Sequence, residues 1–197
     1  MIVAAVLSGL AADLWPGDGI DRKRFVELWV QYGQNIPSAT FVSLPLLTQW
    51  LDGEGRQGEA RRVEASRPEM FGPGYSTRVV TGTEVDMPED QVLSVCPTLN
   101  RAEVRPFAYP TVFYKEVRCG LMHEYRFGSR ASDWAMTMRT SEVSYFNMAD
   151  GLDGTRRLIH FDLPWLTDLV LSIARAVEPD TKKAPLSLPG SWWLANA

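Results

Sequence analysis

Hydrophobic positions set the first expectations for this chain. Leu7, Leu10, Ala11 and Leu14 recur at helical spacing, so residues 2 to 15 predict a core helix stopped by Pro16-Gly17-Asp18-Gly19. Asp21 is placed to cap a second helix, on which Phe25, Leu28, Trp29 and Tyr32 form an apolar stripe. A third apolar segment spans residues 36 to 51, with Ser43 as its N-cap and Pro45 in its first turn. Residues 52 to 74 lose the period and are rich in Gly, Arg and Glu, which predicts a mobile loop or insertion. Weak alternation over 76 to 87 predicts a short strand that Pro88 ends.

The second half carries a stronger helical pattern. Pro106 and Pro110 disturb its beginning, so a regular helix is expected from Thr111 to about Phe127. Val112, Phe113, Val117, Leu121 and Tyr125 are assigned to its core face, and Lys115, Glu116 and Arg126 to water. Gly120 costs this helix about 1 kcal/mol relative to Ala and marks close approach by another backbone. Residues 136 to 148 and 155 to 162 alternate through Met138, Val143, Tyr145, Leu158 and His160, with Asp150-Gly151 and Asp153-Gly154 between them. They predict a β-hairpin. Asp162 opens a final amphipathic helix, which Pro179 is expected to close. The pattern predicts a mainly helical domain over residues 1 to 178, with 52 to 103 as an irregular excursion. The tail, 179 to 197, carries Trp192-Trp193, a pair expected to pack on the body.

Composition narrows the function classes. The chain is 45% apolar and 22% charged, an ordinary globular balance. Its net charge of −4 argues against holding nucleic acid by an overall field, so any such contact needs a local patch. Sixteen Arg against four Lys reads first as the codon bias of a GC-rich genome and only second as a supply of bidentate phosphate contacts. Cys96 and Cys119 have no metal-type spacing, and a reducing, cytoplasmic setting is expected. The opening Met1 to Leu7 lacks a basic region and is too short to span a bilayer, so no membrane role is expected. The chain starts directly inside a helical period, which points to an incomplete or internal start. No His-x-x-x-His or Cys-x-x-Cys pair, phosphate-binding glycine loop or Gly-x-Ser-x-Gly elbow is present, so neither metal nor cofactor is expected.

Only two histidines are available for chemistry. His160, in Leu158-Ile159-His160-Phe161, reads as a strand residue making one ordinary hydrogen bond. His123 follows Arg118 by five positions. On a regular α-helix that is about 140° of rotation, so the pair is not stacked on one face, and the expectation is that it flanks a groove or converges at a dimer seam. An imidazole titrating near neutrality and a guanidinium that holds a phosphoryl group form a minimal toolkit for cutting RNA without metal.

The segment Tyr114-Lys115-Glu116-Val117-Arg118-Cys119-Gly120-Leu121-Met122-His123-Glu124-Tyr125 resembles the signature helix of the HEPN superfamily, an Arg, four to six residues, then His. It is most similar to bacterial members with a helix of the Arg-x-Gly-Leu-x-His-x-Tyr type. The likeness covers residues 2 to 50 and 104 to 178 loosely. It implies an antiparallel helical bundle with a small β-hairpin excursion, and a homodimer through the motif helix. It also implies a metal-independent endoribonuclease of defence or toxin–antitoxin type, with RNA or a nucleotide as ligand and an antitoxin-like protein as partner. Arg118 and His123 match the catalytic positions, with Glu124, Tyr125 and Arg126 beside them as binding residues. Active members commonly carry Asn, Asp or His after the Arg, where this chain has Cys119. Cleavage, binding without cleavage, and a scaffold role using the 52 to 103 excursion or the Trp tail all stay open.

Overall fold

The computed structural model describes residues 2–67, 79–124, 127–132, 142–150 and 154–194, the side chains of 122–124, 147–150 and 154–156 excepted. Tyr125, Arg126 and Met138 lie outside the described residues. The chain is mainly helical, with one small antiparallel sheet. No described helix is long and apolar enough to cross a membrane.

Helix α1 (Ile2–Leu14) buries Ala4, Leu7, Ala11 and Leu14, the period visible in its sequence. It packs on α2 (Asp21–Tyr32) and α9 (Leu163–Thr181). Burying a leucine such as Leu7, Leu14 or Leu169 fully at this seam stabilises the fold by about 2 kcal/mol each. Asp21 does not cap α2. It is the first helical residue and pairs with Arg24. Helix α3 (Leu44–Gly53) starts as expected, Ser43 accepting from the Leu46 N–H with proline in the first turn.

The segment expected to be a loop is partly ordered as helix α4 (Gln57–Ala65). Only Ala60 and Val63 of α4 are buried, too few to give an apolar period. Of the strand expected over 76 to 87, the described part, from residue 79 on, holds β1 (Val80–Thr81) and then turns into α5 (Gly82–Val85), because Thr81 and Glu84 form a capping box. Short helices α6 (Glu89–Val95), α7 (Arg101–Val104) and α8 (Tyr109–Val112) follow. Strands β2 (Val143–Asp150) and β3 (Gly154–Phe161) form the hairpin, in order β1-β2-β3 with Tyr145 opposite both Val80 and Ile159.

Asp162 caps α9 through the Trp165 N–H, but Pro179 does not end that helix. The carbonyl that Pro179 leaves unbonded belongs to exposed Arg175, where water can satisfy it. The tail packs on the body. Trp192 meets Trp15 edge-on at 5.9 Å, and Trp193 donates its N–H to Glu27 at 2.6 Å and lies under Arg105.

One fully buried carboxylate joins these elements. Asp86 accepts the Leu44 N–H at 2.9 Å on Oδ1, and both the Tyr109 and Tyr145 hydroxyls at 2.5 Å on Oδ2. Tyr145 also lies 2.9 Å from Ser43 Oγ. A side chain on Gly82 would collide with the Tyr109 hydroxyl, so the turn before Asp86 has room only for glycine. Burial pushes Asp86 up to about 7, against the pull of the two phenols and the Leu44 N–H. Burial also holds both tyrosines well above their ordinary range, so they stay protonated donors.

Because the folded carboxyl is raised, its stabilising contribution is complete below pH 3.8 and is lost as pH rises toward 7. Urea unfolding across that window should show wild type losing up to about 1.4 kcal/mol per pH unit relative to Asp86→Asn. Parallel curves would contradict the buried carboxylate.

Candidate functional site

The motif segment continues directly from α8 but does not remain α-helical. Phe113–Glu124 is a π-helix of 12 residues. Such a helix bonds residue i to residue i+5 and is found disproportionately at functional sites, most often as a single turn. Arg118 and His123 are five apart, so the backbone places them one turn above the other. This corrects the expectation, based on α-helical rotation, that the two positions diverge around the helix.

Arg118 is half-buried, and its guanidinium lies over the Tyr114 ring, 5.1 Å from the centroid. Tyr114 in turn packs on Phe25 at 5.2 Å. Burial raises the Tyr114 hydroxyl, against the opposing charge of Arg118. Arg118 Nε is enclosed without a hydrogen-bond partner, and no carboxylate among the described residues reaches the guanidinium. The guanidinium is thus held on an aromatic platform, its charge unpaired among the described residues. The His123 and Glu124 side chains lie outside the described residues, as do Tyr125 and Arg126.

Glu116, expected to face water, is buried instead. Its carboxylate accepts the Arg130 N–H at 3.2 Å, and its carbonyl accepts the Gly128 N–H at 2.6 Å. Together these seat residues 127 to 132 against the π-helix. A Cβ on Gly128 would lie 2.9 Å from Glu116 Cα, so the loop approaches backbone to backbone. The charge of Glu116 suggested a solvated face, whereas the loop supplies the donors that make its burial tolerable.

The seated loop helps enclose a cavity of about 380 Å³ between the π-helix, the end of β3 and the start of α9. Phe113, Val117 and Leu121 form one wall, and His160, Asp162 and Ser132 supply its polar groups. The Nδ1 of His160 lies 3.2 Å from the Ser132 carbonyl. A carbonyl only accepts, so Nδ1 carries the proton, and in the neutral ring Nε2 is left as an acceptor. His160 therefore makes the ordinary hydrogen bond expected of it, and it also lines a pocket that its sequence neighbourhood did not announce. An apolar chamber of this size with a few polar groups has the make-up of a small-ligand site. Among the described residues no cluster of His, Cys, Asp and Glu has the make-up of a metal site.

No family model matches the chain, and no curated protein or solved structure is significantly similar to it. The likeness to the HEPN superfamily rests on the motif residues and the order of the elements around them.

Gly128→Ala should lower stability by about 1–3 kcal/mol, because the Glu116 carboxylate, which the added Cβ would overlap, and the Glu116 Cα, at 2.9 Å, must both yield. Thermal unfolding at matched pH measures it. An unchanged midpoint would mean the loop does not dock as described.

Proposed function

We propose that this protein is a HEPN-like member that binds RNA or a nucleotide through the Phe113–Glu124 helix, with Arg118 as the phosphate contact. The observation that carries the reading is the uncompensated Arg118 guanidinium stacked on Tyr114. A planar cation fixed on an aromatic ring loses little rotamer freedom on meeting a phosphate. Arg24, Arg56, Arg101 and Arg105, by contrast, are already committed to carboxylates. The acidic net charge fits a contact that is local rather than spread over the surface.

The π-helical register favours a second reading, RNA cleavage without metal. In that reaction His123 takes the proton of a 2′-hydroxyl, and the 2′ oxygen bonds to phosphorus. The 5′ oxygen then departs with a proton, leaving a 2′,3′-cyclic phosphate. Arg118 stabilises the charge that gathers on the phosphoryl oxygens.

Fluorescence anisotropy with a short single-stranded RNA in EDTA tests the binding reading. Arg118→Ala should weaken binding about tenfold and reduce the salt slope by about 0.7, the loss of one phosphate contact. Equal affinity and slope for the two proteins would reject it. The same mixtures, run on a denaturing gel beside His123→Ala, test cleavage. Product from wild type alone supports it, while equal product from both or none from either rejects it.

A further inference from the structure

A basic concavity distinct from the His160 chamber also borders the π-helix and is not lined by Arg118. It encloses about 210 Å³ and takes Arg22 from the first turn of α2, Lys115 and Glu116 from the π-helix, and Arg130 from the seated loop. Trp50 of α3 and Phe107 supply aromatic wall. Three cations therefore face one carboxylate in a chain whose net charge is −4.

The state of those charges sets this pocket apart. No carboxylate among the described residues pairs with the side chains of Arg22, Lys115 or Arg130. Arg22 Nε is enclosed with no hydrogen-bond partner. The single acid, Glu116, is occupied by the Arg130 backbone N–H. Arg24, Arg56, Arg101 and Arg105 are neutralised by carboxylates, whereas the cations gathered around this recess, with no paired carboxylate among the described residues, carry a cost that a bound anion would remove. The volume is smaller than a drug-sized site and fits a phosphoryl group with the ring it esterifies.

We propose that this pocket is a phosphomonoester site, with Arg22, Lys115 and Arg130 on the phosphate dianion and the attached ring toward Trp50. Arg22 and Arg130 offer forked donors to the phosphate oxygens, and exposed Lys115 closes the rim as a point charge. The proposal does not depend on the reading of Arg118, since the two use different side chains.

Titration calorimetry with adenosine 5′-monophosphate, adenosine and inorganic phosphate tests it on the intact chain. Saturable binding of the monophosphate, at least tenfold tighter than adenosine, is expected. Inorganic phosphate matching the monophosphate would assign the site to the free anion. Phosphate binding at least tenfold more weakly would assign it to the ester. Arg22→Gln and Lys115→Gln should each weaken binding about tenfold. Lys115 is exposed, so its variant keeps the test valid even if Arg22→Gln folds poorly. Adenosine binding as tightly as its monophosphate, full affinity in Lys115→Gln, or no saturable binding of monophosphate or phosphate would overturn the proposal.

Discussion

The fold depends on a carboxylate that has no access to water. Asp86 joins the start of α3, the Gly82 turn, the start of α8 and the middle of β2 through four neighbours that all meet its two oxygens or the hydroxyl beside them. A buried acid without donors would be expensive, and here each donor comes from a different element. Removing one donor exposes the cost of the others, so these elements are held as a unit. Because α8 runs straight into the π-helix, the position of Tyr109 also fixes where Arg118 and Lys115 emerge.

The π-helix then organises the surface around it. One side closes an apolar chamber with β3 and α9. Another presents Lys115 and Glu116 to a basic recess, and a third holds Arg118 against Tyr114. Glu116 links two of these regions, because the loop it seats supplies Ser132 to the chamber and Arg130 to the recess. The chemistry available at each place follows from that docking as much as from the helix.

Features encoded by local physics were legible in the chain. The Ser43 and Asp162 caps, the α1 stripe and the alternating hairpin each need only a few neighbouring residues to form. Features decided by distant partners were not. Helix α4 buries too little to show a period, Glu116 reads as a solvated charge until its loop arrives, and Asp86 looks like any turn aspartate. His160 reads correctly as a hydrogen-bonded strand residue, but its chamber is built by segments far away in sequence. The motif residues were visible, while their relation was misjudged because a 3.6-residue period was assumed. The five-residue spacing of Arg118 and His123 matches the span of the π-helical hydrogen bond, a register that the residue types do not announce.

The relation between Arg118 and His123, and with it the cleavage reading, rests on that register. Hydrogen-bond scalar coupling in isotope-labelled protein reads it directly. The account predicts a coupling from the His123 amide to the Arg118 carbonyl. A coupling from that amide to the Cys119 carbonyl would mean an ordinary α-helix and would contradict it.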